Sequence, residues 1–259
     1  MKTINALLVI AMRDLTKLLR DKGRIMASLI FPLVFVGVLG NSLNSNLSSD
    51  VGYSFLTFVY IGVIGQNLFQ STASGLISLI EDRENDFSQS MFIAPVSRYV
   101  IIIGKIIGES LVAMVQLLGI GLMAFIFRIP FTWMQALGVA SVVPVVTLLG
   151  GAFGVLVMAN LSNQKQANQI FPFLIFPQFF LSGVFSPIKH LPGYLMVLSR
   201  ISPMTYAVDL VRSIYYLGSP VADKVVLNSV QTNLTVVLAM TVVMVGFGTF
   251  VFVKNEKNR

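Results

Sequence analysis

The stretch VVLNSVQTNLTVVLAMTVVMVGFGTFVFV, residues 225–253, runs for 29 positions without a charged side chain. A helix needs about 20 apolar residues to cross the hydrocarbon core of a bilayer, so this stretch is long enough to span it. Five further windows also lack charged residues, at 25–49, 51–80, 110–127, 129–164 and 166–188. Because open strands leave backbone groups unsatisfied in lipid, each window is predicted to be helical. The sequence therefore predicts an all-α polytopic membrane protein with six transmembrane helices.

The overall composition agrees with this prediction. The 259 residues are 55% hydrophobic and 11% charged, whereas a soluble domain carries about 25% charged residues. Mean hydropathy is +0.82. The chain has no cysteine, which excludes disulfide bonds and thiolate metal sites. We predict a single transmembrane domain over residues 1–259.

Basic residues are distributed unevenly among the predicted loops. The two ends of the chain and alternate loops carry 13 of the 18 Lys and Arg residues, and the remaining loops carry five. Since basic residues mark the cytoplasmic side, both termini are predicted to be cytoplasmic, which agrees with an even number of crossings. Orientation explains the net charge of +7, so we predict a multi-pass protein of the cell membrane, in contact with lipid and without a nucleic-acid partner.

Residues 1–23 have the pattern of a cytoplasmic amphipathic helix at the membrane interface. Apolar residues recur there at spacings of three and four, at Ile4, Leu8, Ala11, Leu15 and Leu18. Basic residues occupy another face, as in helices that lie on a membrane surface. A positively charged anchor that only sets the orientation would give the same pattern, and both interpretations stay open.

A dense group of charges, EDRENDFSQSMFIAPVSR at residues 81–98, separates the second predicted span from the third. Its start is mostly acidic, which is the opposite of what orientation alone favours in a cytoplasmic loop. A charged start followed by apolar residues is typical of a surface that docks a soluble partner. The predicted contact residues are Glu81, Asp82, Arg83, Glu84, Met91, Phe92, Ile93 and Pro95. A solvated loop is the alternative.

Polar residues interrupt the second and third predicted spans. A ridge of small and polar residues repeats every four positions along the second span, at Gly62, Gln66, Gln70, Ser74 and Ser78. Such a ridge either packs against another helix or faces a substrate. In the third span, Lys105 and Glu109 can pair, and Gln116 shares the face of Glu109. The helix is expected to start in the cytoplasm or the headgroup region and to enter the membrane near Glu109. Glu109 is then either an interfacial ion pair or a functional residue.

Residues 187–224 carry too many charges to cross the membrane. Their apolar spacing predicts two short external helices, amphipathic or re-entrant, that Pro203 divides. Asp209 and Arg212, three positions apart, are predicted to pair on one helix face.

Several catalytic signatures are missing from the sequence. GKIIGES at 104–110 lacks the upstream glycine of a phosphate-binding loop, so the chain has no such loop of its own for ATP. Its only histidine is His190, which gives little basis for a metal or catalytic site. We predict no enzyme activity and no catalytic, cofactor-binding or metal-binding residues.

Two segments resemble permeases of type-2 ATP-binding-cassette (ABC) transporters. The first is EDRENDFSQSMFIAPVSRYVIIIGKIIGES, in which Glu81, Arg83, Glu84, residues 94–98 and Gly104-Lys105 fall on positions of that family's motif. The second is LPGYLMVLSRISPMTYAVDLVRSI, in which the matches are Leu191-Pro192, Pro203, Thr205-Tyr206, Val208-Asp209 and Arg212. Asn85-Asp86-Phe87 departs from the family's Gly-Thr turn.

The resemblance implies an exporter of two permeases, identical or homologous, and two separate ATPase subunits that bind ATP and Mg²⁺. A cytoplasmic coupling helix between spans two and three would meet the ATPase. The residues that would support the coupling helix or transmit its motion are Arg98, Lys105, Glu109, Asp209 and Arg212. A substrate path would include Gln66, Gln70 and Gln116. Drugs, lipids, peptides and polysaccharides are all compatible substrates. The alternative function is an ATP-independent secondary carrier or channel.

Overall fold

A computed structural model describes residues 2–40, 52–84, 98–161 and 163–257. All regular structure in these ranges is helical, which confirms the all-α prediction. The α-helices are α1 (Lys2–Arg20), α2 (Lys22–Val34), α3 (Phe55–Glu84), α4 (Arg98–Ile126), α5 (Trp133–Met158), α6 (Gln164–Leu181), α7 (Gly193–Ile201), α8 (Pro203–Tyr215), α9 (Ala222–Val225) and α10 (Val230–Lys257). A π-helical segment, Phe35–Gly40, continues α2, and a 3₁₀ turn, Ile188–His190, precedes α7.

Three segments of the described chain are long and apolar enough to cross a membrane. They are Tyr99–Ile126, Trp133–Met158 and Ala222–Phe252, and they fall in the third, fourth and sixth predicted spans. The first predicted span corresponds to α2 and its π-helical continuation, which follows the buried Pro32. Local π-helix commonly accommodates such a break in the α-helical hydrogen-bond ladder.

The fifth predicted span, α6, begins earlier than expected. Its N-cap is Asn163, whose side chain accepts a hydrogen bond from the backbone N–H of Gln166. The polar sequence NLSNQKQANQ at residues 160–169 favours a turn, but its second half is helical, because a capping asparagine allows polar residues to start a helix. The helix then continues through Pro172 and Pro177.

Helix α3 forms the centre of the fold. It packs against α4, α5, α6 and α8, and none of residues 55–80 is fully exposed. A Cβ added at Gly150 of α5 would lie 2.2 Å from the carbonyl oxygen of Phe69, and one at Gly154 would lie 2.6 Å from that of Ala73. The glycines of GGAFG, residues 150–154, therefore allow α3 and α5 to pack closely, because a side chain would block this approach between two backbones.

Part of one face of α3 remains partly open, and this part is polar. Asn67, Gln70, Ser74 and Ser78 are the partly exposed residues between positions 57 and 80. Gln66 and Gly62, which continue the predicted ridge, are buried. The ridge therefore divides into a packed half and an open polar half.

The segment between α6 and α10 differs in part from its prediction. Pro203 divides it into α7 and α8, as predicted. However, α8 is not a surface helix: residues 203–213 are buried except for Tyr206, and α8 packs against α3, α5 and α10. Helix α7 keeps apolar side chains exposed, including Tyr194 and Ile201.

Helix α1 lies against the first turns of α4. Ala11 and Leu18 are buried in this contact, but Leu8, which was predicted on the same face, is exposed together with Met12 and Leu19. Apolar residues cover more of this helix than one packing face needs, so spacing alone assigned Leu8 to the wrong face. The exposed apolar residues fit the predicted interfacial location.

Candidate coupling and transport sites

The predicted partner-docking segment joins α3 to α4. Residues 81–84 form the end of α3, and Arg98 begins α4. Residues 85–97, which include the predicted contacts Met91, Phe92, Ile93 and Pro95, lie outside the described residues. The helix ends therefore place the segment immediately before the first turns of α4.

Those first turns of α4 contain a buried cluster of charges. Lys105 Nζ lies 3.3 Å from Glu109 Oε1, so the predicted pairing is confirmed. The same ammonium lies 2.9 Å from Asp14 Oδ1 of α1, and Arg13 Nη2 lies 3.2 Å from that oxygen. We call Arg13, Asp14, Lys105 and Glu109 the inner charge cluster.

The inner charge cluster lies inside the protein, and the location of Lys105 and Glu109 near the headgroup region stays a prediction. Asp14, Lys105 and Glu109 are each exposed by 2% or less. Asp14 Oδ2 is buried without a hydrogen-bond partner among the described residues. Removing one member of a buried ion pair typically costs about 3–5 kcal/mol because the other charge is left uncompensated.

Two glycines make room for this cluster. A Cβ at Gly75 of α3 would lie 2.1 Å from the Glu109 carboxyl group, and one at Gly108 would lie 3.0 Å from both Ala11 Cα and Asp14 Oδ2. The cluster therefore joins three helices, because α1 supplies Asp14, α4 supplies Lys105 and Glu109, and α3 covers the carboxyl group.

Sequence reasoning did not identify Asp14. A signal was present, since Asp14 is the single acidic residue of α1 and has basic residues on both sides. An isolated acid on a basic interfacial helix has no role in orientation and so indicates a specific partner.

At the other end of the molecule, Asp209 of α8 holds the start of α10. Its Oδ1 accepts a hydrogen bond from the backbone N–H of Leu227, and its Oδ2 accepts one from that of Asn228, both at 2.8 Å. Asn233 Nδ2 donates a third bond of 2.8 Å to Oδ2. A carboxylate at this position also interacts favourably with the N-terminal end of the helix dipole.

Arg212 contacts different elements. Its guanidinium lies 3.8 Å from the centre of the Phe58 ring, and Nη2 donates a hydrogen bond of 2.9 Å to the carbonyl oxygen of Gly183. Gly62 leaves the space for it, since a Cβ there would lie 2.7 Å from Nη2. Burial lowers the pKa of Arg212 to about 10, against the opposing effect of the Asp209 charge, so the side chain stays protonated at neutral pH.

The predicted ion pair between Asp209 and Arg212 is therefore wrong. Both residues are buried, but no ion pair or hydrogen bond joins their side chains in the described structure. A spacing of three allowed the pair, and stronger local partners replaced it. We call Asp209 and Arg212, with their partners, the outer charge cluster.

The three predicted glutamines occupy two locations. Gln66 Nε2 donates a hydrogen bond to Gln70 Oε1, and Gln66 Oε1 is buried without a partner in the described part of the chain. Gln70 lines a cavity of about 250 Å³ whose other lining residues are Phe35, Phe171, Pro172, Ile175, Phe176, Phe179, Phe180 and Phe185. Gln116 lies on α4, buried, and is not among the residues that line this cavity.

A comparison of the whole sequence with known families identifies the chain. Residues 5–216 match the profile of the ABC-2 type transporter family. The chain belongs to the ABC-2 type transporter family. It is thus a permease subunit and a multi-pass membrane protein, and it is not an enzyme, because ABC-2 permeases work with separate ATPase subunits that hydrolyse ATP.

Individual relatives agree with this assignment. A protein of Cyanophora paradoxa named as a transport permease, ycf38, is 23% identical over 95% of this chain and 88% of its own length. YbhR of Escherichia coli K12, named as a multidrug ABC transporter permease, is 32% identical over 54% of this chain and 38% of its own length. The inner membrane transport permease YadH of the same strain is 26% identical over 66% of this chain and 67% of its own length.

Proposed function

We propose that this permease belongs to an ATP-driven exporter built from two permease subunits, identical or homologous, and two ABC ATPases. ATP and Mg²⁺ bind to the ATPases, and this chain holds no cofactor. Residues 1–259 form a single permease domain with six spans. Residues 1–23 lie on the cytoplasmic interface, 81–98 form the coupling segment, and 187–224 lie on the external side. Both termini are then cytoplasmic.

The natural absence of cysteine makes this topology directly testable. Ser186 immediately precedes the predicted external segment and Lys165 lies in the first turn of α6, on the predicted cytoplasmic side, and both are exposed. In intact cells, Ser186→Cys should react with an impermeant maleimide, and Lys165→Cys should react only after permeabilisation. The opposite labelling of either position would contradict the six-span arrangement.

The inner charge cluster is the observation that carries the coupling role. Residues 81–98 lead directly into the first turns of α4, and the cluster fixes those turns to both α1 and α3. A displacement of the coupling segment by the ATPase is then transmitted to three helices together. The charged residues 81–84 would set the register in which the ATPase docks. The apolar residues 91–93 and Pro95 would provide the buried contact area. Arg98, as the first residue of α4, stands where the motion enters the helix.

Charge reversal tests the docking role. Glu81→Lys/Glu84→Lys should reduce co-purification of the ATPase and export, while the permease remains folded and inserted. Asp223→Lys, an exposed charge on the opposite side of the proposed topology, is the matched control and should leave both unchanged. Export lost with binding intact would place these residues in transmission, and unchanged binding and export would remove the coupling role.

The open polar half of α3 supports a substrate path. A polar stripe is unfavourable in contact with lipid. The stripe formed by Asn67, Gln70, Ser74 and Ser78 would therefore face either a second permease subunit or a hydrated path. Gln66 and Gln70, next to the phenylalanine-lined cavity, would bind an apolar substrate that offers a few polar groups. The name of the relative YbhR, a multidrug permease, agrees with a drug-like molecule, although lipid, peptide and polysaccharide substrates fit the family as well.

The substrate path can be tested with glutamine variants. Gln70→Leu should change the concentration of drug-like substrate that gives half-maximal stimulation of the ATPase, with basal activity unaffected. Gln116→Leu is the comparison, since Gln116 lies away from the cavity. Equal responses of the two variants would contradict a specific role for Gln70. An ATP-independent carrier, the alternative function, would transport without any dependence on the ATPase.

A further inference from the structure

A second cavity, separate from the polar residues of α3, opens on the outer side of the fold. It is a groove of about 630 Å³, a volume typical of ligand-binding sites. Helices α3, α4 and α5 and the turn between α4 and α5 line it, and its wall is apolar except at one end. Small residues such as Gly121, Ala136 and Ala140 create the space.

The length of the groove along α4 is close to the thickness of one leaflet of the hydrocarbon core. Its α4 wall runs from Leu117 to the last helical turn at Ile126, which corresponds to about 14 Å at a rise of 1.5 Å per residue. Half of a bilayer core is about 15 Å thick. Leu118, Leu122 and Phe125 are each more than 60% exposed, so the groove opens sideways, towards the hydrocarbon of the membrane.

Arg128 stands at the end of this groove, two residues after the end of the apolar segment Tyr99–Ile126. It is exposed, and its guanidinium has no hydrogen-bond or ion-pair partner in the part of the chain that the structure describes. Trp133 is 79% exposed on the same turn of the chain, and tryptophan is enriched at the headgroup level of membranes. The groove thus combines an apolar wall with one unpaired cation at the headgroup level.

The backbone at Arg128 adopts a left-handed conformation, which is uncommon for a residue other than glycine. Arg128 has φ +52°, the backbone N–H of Ile129 donates to the carbonyl oxygen of Ala124, and that of Arg128 donates to Phe125. This is the Schellman arrangement that ends a helix, and its left-handed residue is usually glycine. A side chain at this position costs about 1–2 kcal/mol, so the local backbone favours glycine and does not account for an arginine here.

The rest of the turn is held firmly. The Tyr215 hydroxyl donates a hydrogen bond to the carbonyl oxygen of Pro130, and the Phe131 ring lies 5.0 Å from that of Tyr215 and 6.1 Å from that of Tyr60. The backbone that carries Arg128 is therefore fixed relative to the groove.

We propose that the groove binds an acyl chain of an anionic phospholipid, whose phosphate contacts the guanidinium of Arg128. In the topology proposed above this lipid belongs to the outer leaflet. The apolar wall takes the chain, and the arginine, which presents a fork of donors suited to phosphate, selects the headgroup.

The chain has a single tryptophan, Trp133, so its emission reports on this location alone. The purified full-length chain is placed in bilayers of phosphatidylcholine that contain phosphatidylglycerol, with brominated, quenching acyl chains on one lipid and then on the other. We expect phosphatidylglycerol to bind beside Trp133 about fivefold more tightly than phosphatidylcholine, which is the effect of one basic residue at an anionic membrane surface.

Three variants test the charge of Arg128 and the space in the groove independently. Arg128→Gly relieves the backbone strain, so it should fold at least as well as the wild type, and it should lose the preference. Arg128→Lys should keep most of it. Gly121→Leu fills the groove, since nothing lies within 4 Å of a Cβ at that position, and should reduce quenching by both brominated lipids.

Three results would overturn the proposal. One is equal quenching by the two lipids in the wild type, as in a non-selective lipid surface. Another is a preference that persists in Arg128→Gly, which would leave Arg128 with a role only at the end of α4. The third is emission that no brominated lipid quenches but that changes when the protein dissociates into monomers, because a second permease would then cover the groove.

Discussion

The inner and outer charge clusters both contain buried charged side chains, but different kinds of partner compensate those charges. In the inner cluster, Lys105 neutralises Asp14 and Glu109 directly, through contacts of 2.9 and 3.3 Å. In the outer cluster, Asp209 bonds to groups at the start of α10, and Arg212 bonds to a backbone carbonyl and lies against an aromatic ring. One cluster is held by charges on different helices, and the other by neutral groups around each charge.

This difference has a consequence for motion. Ion pairs between side chains can shorten, lengthen or exchange partners while helices slide, and Arg13 offers Asp14 a second partner. Bonds from a carboxylate to the backbone before α10 fix one geometry. We therefore expect the inner cluster to move during transport and the outer cluster to act as a rigid joint. The following changes test this contrast.

Loss of Asp209 should have the largest effect on stability. Asp209→Ala leaves two backbone N–H groups and the Asn233 amide without their acceptor, so the free energy of unfolding should fall by about 3–5 kcal/mol. Thermal unfolding of the detergent-purified permease measures this. Asp223→Ala, an exposed acid near the start of α10, should stay within about 0.5 kcal/mol of the wild type. A similar small effect at Asp209 would contradict the rigid joint.

A double-mutant cycle should distinguish the two clusters next. Asp14→Asn and Lys105→Met remove partners in direct contact, and their coupling energy should be about 1.5–3 kcal/mol. The corresponding cycle with Asp209→Asn and Arg212→Met should give a clearly smaller value, because no ion pair or hydrogen bond joins these side chains. Unfolding by denaturant supplies both cycles. A larger coupling energy for Asp209 and Arg212 than for Asp14 and Lys105 would contradict the proposed difference between the two clusters.

A steric change tests whether α3 is part of the inner cluster. Gly75→Ala places a methyl group where the Glu109 carboxyl lies, so we expect a loss of about 1–3 kcal/mol as the cluster shifts. Gly121→Ala on α4, with nothing within 4 Å of the new methyl group, should be neutral or slightly stabilising. If the two substitutions have the same effect on the unfolding temperature, α3 does not hold Glu109 in place.

The smallest effect is expected at Arg13, the outermost member of the inner cluster. Its side chain is 30% exposed, so Arg13→Gln should lower the free energy of unfolding by only about 0.2–1 kcal/mol. The difference should disappear in 1 M salt, which screens exposed charges but not the buried Lys105 pair. An effect as large as that of Lys105→Met would show that Arg13 is a main partner of Asp14.

The sequence predicted elements of the fold better than contacts between them. Uncharged windows predicted the long apolar helices, because the membrane imposes a length and a hydropathy that are read locally. The Lys105–Glu109 pair was also predictable, since both residues belong to one helix. Asp14 was not, because its partner is more than 90 positions away and only the packing of α1 on α4 brings them together.

For Asp209 and Arg212, by contrast, the sequence predicted an ion pair that does not form. Helical spacing brings two opposite charges to one face, but it does not say which groups compete for them. Phe58 and Gly183 reach Arg212 from distant parts of the chain, and the start of α10 reaches Asp209. The burial of α8 was missed for a related reason, since charges at two positions marked it as a surface helix.

By itself, the sequence determined that this protein is helical, lies in a membrane, resembles an ABC permease and has a charged segment between its second and third predicted spans. These properties follow from composition, local spacing and motifs. Only the tertiary structure decided which charges pair, which half of the α3 ridge stays open, and that Arg128 stands at the end of an apolar groove. Each of these depends on groups from separate helices, and their contact is set by packing, which no local pattern encodes.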